Sequence, residues 1–321
     1  MRVLLWHVHG AYTTSLVQGR HDYFVPVLPG RGPDGRGRAG TYLWQRNAAE
    51  VPPEELRDRE VDVVILQRPH ELTLAEQWLG RRPGVDVPAV YLEHNTPGDG
   101  AVTTRHPLAG RCDIPIVHVT HFNALVWDSG GAPATVIEHG IVDPGYRYTG
   151  DVEAAGVVVN EPVRRGRAVG TDLLPGVLDV APVDVFGMAV DRLLEAIPAP
   201  GGRLRTYADL PQDHMHAELA RRRVYVHLHR WTSLGLSLLE AMHLGMPVVV
   251  LGCTEAPFAV PPAAGRVSVR PSDLADAVAL YLRDAEAARA AGAAARDAAL
   301  SHYGLKRFLD DWDAVLAGAV S

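Results

Sequence analysis

The 321-residue chain is 47% hydrophobic and 21% charged, a globular balance that excludes a disordered or fibrous protein, and its length accommodates two ordinary domains. A net charge of −7 excludes a global basic field for nucleic acid or anionic lipid, so any anion must be held locally. Its two cysteines, Cys112 and Cys253, form no disulfide framework, CxxC pair or zinc ribbon, which suits a reducing cytoplasm.

The opening MRVLLWHVHG is an apolar run interrupted by histidines and closed by Gly10. It is too short for a signal-peptide core or for the ~20 apolar residues of a membrane span, and reads as a first buried strand over 3–8. Further β-branched runs over 23–28, 61–66, 89–93, 116–120 and 135–138 alternate with amphipathic stretches, the pattern of a parallel sheet covered by helices. Between them PGRGPDGRGRAG (29–40) has no periodicity and reads as a mobile surface loop. His94 follows the 89–93 strand, and a side chain at a strand's carboxyl end faces the ligand side of a doubly wound sheet; a lone histidine there also reads as structural.

The turn formers of DPGYRYTG (143–150) break the pattern, which then restarts with strands over 156–159, 183–188, 204–207, 224–228, 247–251 and 265–269. The first of these runs into NEPVRRGRAVG, where Arg164, Arg165 and Arg167 suit bidentate phosphate recognition or form a solvated basic loop. RWTSLGLSLLEAMHLGMPVVVL (230–251) reads as a turn over 232–235, a helix over 236–244, a stop at Gly245 and a strand led by Pro247. The helix start offers free amides and a positive dipole end to an anion, Gly235 lets a phosphate approach the backbone, and Glu240 lies one turn in, where a carboxylate reaches ribose hydroxyls. An ordinary buried helix with a salt-bridged Glu240 has the same pattern. Residues 272–300 read as an alanine-rich helix with Ser272 as N-cap, Asp273 in its first turn and a tolerable Gly292. Leu305, Phe308, Leu309, Trp312 and Leu316 form one apolar stripe, so the last helix is docked.

The run T-S-L-G-L-S-L-L-E-A-M-H-L-G-M-P-V-V (232–249) resembles the signature E-G-F-G-L-x-x-x-E-A-M-A-x-G-x-P-V-V of the retaining GT-B glycosyltransferases of family 4, matching at Gly235, Leu236, Glu240, Ala241, Met242, Gly245, Pro247, Val248 and Val249. The resemblance implies an α/β chain of GT-B fold, two Rossmann-like doubly wound domains facing a central cleft. It divides the chain into an acceptor domain over 1–145, a nucleotide-sugar donor domain over 146–304, and a C-terminal helix over 305–321 that packs back on the first domain. It implies that Glu240 binds the donor ribose and that the amides at Gly235 and Leu236 hold the diphosphate. Arg165, on the family's Lys-Gly, and then Arg164 would join them, although Glu161 stands on the family's arginine. His94 takes the family histidine's place near donor sugar and acceptor hydroxyl, Gly10 and Ala11 match a small-residue loop near the donor phosphate, and TVIEHGIVD (135–143) resembles V-I-x-N-G-V-D with His139 for asparagine. Thr232 replaces the family's first glutamate and cannot place negative charge beside an oxocarbenium-like transition state; it also fits a helix N-cap or turn residue.

HVH (7–9), HMH (214–216) and HLH (227–229) supply imidazole pairs, short of the converging three or four ligands zinc needs, and the Asp311-Trp312-Asp313 DxD lies on the docked terminal helix. The expected activity is metal-independent transfer of a hexose from a nucleotide diphosphate to an acceptor hydroxyl, with retention and no cofactor. The expected partners are a nucleotide sugar and a small-molecule or glycan acceptor met by the loops 29–40 and 96–105, with no nucleic acid and no membrane span, in the cytoplasm. A non-catalytic nucleotide-sugar binder and a GT-B-like sugar-nucleotide epimerase are the alternatives.

Overall fold

The computed structural model describes residues 1–98 and 100–321. The chain forms two compact units, Met1–Val142 with Leu305–Ser321, and Asp143–Gly304. The change of unit falls at residue 143 because Asp143 is bound to Arg296 at 2.8 Å and the amides of Arg147 and Tyr148 both donate to Leu244 O at 3.1 Å.

The first unit is a parallel sheet of β1 (Arg2–Leu5), β2 (Asp22–Pro26), β3 (Ala48–Val51), β4 (Val63–Leu66), β5 (Ala89–Glu93), β6 (Ile116–His118) and β7 (Ala134–Val136), in the order β3-β2-β1-β4-β5-β6-β7. Its central strands are buried on both faces, which is why their sequences are continuous apolar runs rather than alternating ones. β3, the sequence AAEV, lacks such a run; it is an edge strand recruited by Val27 N to Val51 O at 3.1 Å and Tyr23 N to Asn47 O at 2.7 Å. The 29–40 loop is not the loose segment its composition suggests. Leu28 N donates to Gly35 O at 2.9 Å, Gly37 N to Pro26 O at 3.0 Å, Arg31 pairs with Glu50 at 2.8 Å, and Asp34 takes Arg68 at 2.9 Å and His70 at 2.8 Å.

The second unit is a parallel sheet of β8 (Val152–Val158), β9 (Val183–Gly187), β10 (Leu204–Ala208), β11 (Arg222–His227), β12 (Val248–Leu251) and β13 (Gly265–Ser268), in the order β10-β9-β8-β11-β12-β13. In both sheets the strand order reverses at the first strand, between β1 and β4 and between β8 and β11. A crevice at the carboxyl ends is therefore expected at each reversal. The helix Leu236–Leu244 follows β11 as the sequence predicts, ended by Gly245 at φ 87.

The alanine-rich segment departs from expectation. It is two helices, Pro271–Arg283 and Ala285–His302. Pro271 occupies the first helical position, where its fixed φ and missing N–H cost nothing, so Ser272 lies inside the first turn and caps nothing. Asp284 interrupts the run by accepting from Glu286 N at 3.1 Å and Ala287 N at 2.9 Å. The helix Leu305–Ala319 buries Phe308, Trp312 and Leu316 in the first unit; Phe308 fills the space a side chain would take at Gly140, and Trp312 Nε1 donates to Tyr12 Oη at 3.0 Å. The carboxylates of the DxD are engaged, Asp311 by Arg307 at 2.7 Å and Asp313 by Arg20 at 3.0 Å and His21 at 2.9 Å. No helix among the described residues is long and apolar enough to cross a membrane.

Helix propensity alone makes Gly292→Ala stabilising by about 1 kcal/mol. In the fold an added Cβ at Gly292 would lie 2.1 Å from Gly245 O, so the helix Ala285–His302 would have to back away from the turn before β12. Gly292→Ala is therefore expected to destabilise by about 1–3 kcal/mol, read as a lower midpoint in urea unfolding; a raised midpoint would show that this contact is slack.

Candidate active site

In the second unit the carboxyl ends of β8 and β11 bring two loops together. The 166–172 segment lies against the chain leaving β11: Arg230 N and Trp231 N both donate to Ala168 O, at 2.8 and 3.1 Å. Gly170, at φ 77, has its Cα so close that a Cβ would sit 2.1 Å from Leu228 O. Only glycine meets both demands. Asp172 ties the edges, taking Arg230 at 2.5 Å and Arg167 at 2.8 Å.

The basic loop reads from its sequence as either a phosphate site or a solvated surface, and its ion pairs narrow that choice. Arg164 is exposed and forms a two-bond ion pair with Glu161, whose backbone is left-handed at φ 52. Arg167 and Arg230 share Asp172. Arg165 is half-buried, and its guanidinium makes no ion pair among the described residues; burial, then Arg164, pull its pKa down from the arginine range, with the charge of Glu161 acting the other way. A partly desolvated cation with vacant donors is an anion-binding group.

The helix Leu236–Leu244 starts in the same crevice. Its N-cap is Gly235, in extended backbone, with no side-chain cap, so the first-turn amides keep their donors for a ligand. Thr232 is thus a turn residue three positions upstream and not the cap. Gly235 is required by packing as well, since a Cβ there would lie 2.3 Å from His227 Cε1. His227 is buried, stacks on His229 at 4.2 Å, and meets Tyr225 Oη at 3.2 Å, which donates to Ser237 Oγ at 2.9 Å. His229 Nδ1 is buried with no hydrogen-bond partner among the described residues, and burial, His227 and Arg165 hold its pKa well below the ordinary histidine value. Leu236 is the first helical residue.

Glu240 is 5% exposed on this helix. Gln212 Nε2 donates to its Oε1 at 2.8 Å, and His216 Nε2 lies 3.5 Å from Oε2, both from the helix Gln212–Leu219. Two neighbours leave lone pairs on both oxygens, because an ionised carboxylate offers about four acceptor sites. Sequence reasoning does not mark Gln212, His216, His229 or Asp172 as residues of this site. The HMH triplet points at His216 only as a metal ligand, and its helical setting separates His214 from it; no group of three or more ligands suited to a metal exists among the described residues.

In the first unit His94, 8% exposed, follows β5 and is packed by His9 at 4.2 Å and Tyr12 at 4.7 Å between ring centroids. Burial, with His9 and His139, keeps it neutral at ordinary pH. His139 is buried, 5.6 Å from Tyr12. Gly10 opens the helix Gly10–Leu16, and Tyr42 lies where its Cβ would be, 2.6 Å away. The 96–105 loop carries exposed Val102, and its Asp99 lies outside the described residues.

A family model for glycosyl transferases group 1 matches residues 201–298, the stretch that runs from β10 through the helix Leu236–Leu244 into the alanine-rich pair. No curated protein matches the chain. Among solved structures the chain is similar to S. aureus TarM, at 15% identity over 79% of this chain and 55% of that one, TM-score 0.64; it thus spans about half of TarM's length. It is similar along nearly its whole length to a sucrose-phosphate synthase from Thermosynechococcus elongatus, at 13% identity, 99% and 98% coverage and TM-score 0.72. The same holds for Anabaena HepE, solved with UDP-glucose, at 13% identity, 99% and 100% coverage and TM-score 0.71. The fold is GT-B, built of two Rossmann-like α/β units.

The buried histidines set an acid limit on stability. Burial lowers the pKa of His227 to about 3 and, with His106, that of His118 to about 4, while an unfolded histidine titrates near 6.5. Between those values the unfolded chain binds more protons, so the unfolding free energy rises with pH, by at most about 1.4 kcal/mol per pH unit for each such group. Stability is expected to fall as pH drops from 6.5 toward 4, and His227→Gln should flatten that slope in thermal-melt series; an unchanged slope would mean that His227 protonates freely when folded.

Proposed function

We propose that the chain is a nucleotide-sugar-dependent glycosyltransferase, with the second unit as donor domain and the first as acceptor domain. The observation that carries the reading is that the family match over 201–298 covers an uncapped helix start and a buried carboxylate, and that a half-buried arginine with no ion pair stands on the neighbouring loop after β8. A nucleoside diphosphate presents the complementary groups: phosphates for the amides at Gly235 and Leu236 and for Arg165, and ribose hydroxyls for Glu240. In this reading the phosphates' charge is met by dipole and guanidinium, and the reaction needs no metal. A hexose passes to an acceptor hydroxyl with retention at the anomeric carbon, His94 facing the sugar and Thr232 standing near the anomeric centre. Retention and hexose rest on the resemblance of residues 232–249 to the family signature.

Thr232 also favours a second reading. Its hydroxyl has no partner among the described residues, and it supplies no negative charge to an oxocarbenium-like centre, as a binder that has lost transfer would show. Incubating the protein with nucleotide sugars, UDP-glucose first because HepE was solved with it, and following release of free UDP with and without hydroxyl acceptors separates the two. Turnover with any donor establishes the enzyme; tight binding without release establishes the binder.

The arginine assignment is tested by calorimetry with UDP. Losing a charge-assisted hydrogen bond of about 1.5–3 kcal/mol makes Arg165→Ala bind UDP roughly 10–100-fold more weakly, while Arg164→Ala should stay within about twofold because Glu161 already neutralises it. Glu240→Ala should also weaken UDP at least about tenfold, and unchanged affinity would remove Glu240 from the site.

A further inference from the structure

The polar partner of His94 is a glutamine that no motif marks. Gln67 lies just past β4, is 4% exposed, and bridges two strand ends: its Nε2 donates to Trp6 O at 2.6 Å, and its Oε1 lies 2.9 Å from His94 Nε2. Its backbone is fixed as well, with Gln67 N donating to the buried Glu71 Oε2 at 2.6 Å.

The chemistry of these atoms allows one arrangement. A peptide carbonyl only accepts, so the amide nitrogen of Gln67 must face Trp6 O. That leaves the amide oxygen toward His94, and an amide oxygen also only accepts, so His94 Nε2 carries the hydrogen. In a neutral imidazole the other nitrogen is then a bare lone pair. Nδ1 has no hydrogen-bond partner among the described residues, and the ring is wedged between His9 and Tyr12, so it cannot turn to exchange its nitrogens.

We propose that Gln67 is a positioning residue that locks His94 as the Nε2–H tautomer, so that Nδ1 accepts a hydrogen bond from a substrate hydroxyl and rejects a carboxylate or phosphate oxygen. The substrate part rests on the glycosyltransferase reading above; the tautomer rests on the geometry alone. The groups facing the ring from neighbouring elements are His9 after β1, Tyr12 on the helix Gly10–Leu16, and His139 after β7. None is acidic, so a proton at His94 would meet no carboxylate.

The test uses the full chain labelled with 15N-histidine, the His94 signals being assigned by their loss in His94→Gln. The wild type is expected to show a pyrrole-like Nε2 and a pyridine-like Nδ1 that do not titrate between pH 5 and 8. In Gln67→Glu an ionised carboxylate replaces the amide and gives up the bond to Trp6 O, for which it has no donor; its opposite charge beside the ring raises the His94 pKa by about one to three pH units. A titrating His94 signal is expected there, with kcat/KM for UDP-glucose turnover falling about tenfold per pH unit below the raised pKa and no such limb in the wild type. Gln67→Leu, folded by circular dichroism, should lose the single-tautomer pattern. A wild-type Nδ1–H or imidazolium signal, or a pattern unmoved in both variants, overturns the tautomer lock. A titrating His94 in Gln67→Glu with an unchanged activity profile overturns the role of Nδ1 toward substrate. Absence of turnover in the wild type beside the expected spectrum counts against the transferase reading and leaves the lock standing.

Discussion

The candidate donor site depends on the close passage of two backbones at the β8–β11 reversal. Ala168 O takes the amides of both Arg230 and Trp231, and Gly170 lets the 166–172 segment reach that distance from Leu228 O. The contact aims the chain leaving β11 so that Gly235 arrives over His227 and the helix Leu236–Leu244 begins with its amides toward the crevice. It also settles the charges. Once Asp172 is held between Arg167 and Arg230, and Glu161 is folded back on Arg164, Arg165 is the guanidinium of the loop that is left without an ion pair. Positive charge for an anion is thus left on Arg165, which has no ion pair, and on the Arg167–Asp172–Arg230 cluster, in which two guanidiniums share one carboxylate.

Much of this was legible in the sequence where one local cause fixes the structure. The helix from Leu236 to Leu244, its glycine stop and the strand after it follow from turn chemistry and apolar runs, and the structure has the helix and its stop at those residues and the strand from Val248, just past Pro247. Elements decided by neighbours were not legible. β3 is a strand because β2 offers it a ladder and not because AAEV favours one. The 29–40 loop reads as loose because its anchors, Glu50, Arg68 and His70, lie outside it. The break at Asp284 was legible in principle, since an aspartate two residues before Glu286 is an N-cap pattern; the alanine content obscured it.

Site residues divide along the same line. Glu240 and Gly235 sit in a motif with fixed spacing, whereas Gln67 reaches His94 from 27 residues away in sequence, and Gln212 reaches Glu240 from 28. Such partners are set by which strand ends the topology makes neighbours. In both units the polar side chains that orient a candidate ligand-facing group come from an adjacent segment: Gln67, just past β4, for His94, and the helix Gln212–Leu219 for Glu240.

The histidines take their meaning from the same burial. The chain has 15 histidines, whose sequence pairs fall short of a metal site, and His94, His227 and His229 are all held neutral by desolvation. What they contribute is therefore ring faces and lone pairs: His227 as the surface that excludes a side chain at Gly235, His94 as an oriented acceptor. Positive charge at the donor crevice falls to Arg165 and to helix amides, none of which titrates near neutrality. Ligand binding there and stability consequently respond to pH through different groups. An activity loss between pH 6.5 and 4 that tracks unfolding carries the signature of the buried histidines, and one that precedes unfolding comes from the groups that meet the ligand, on the protein or on the ligand itself.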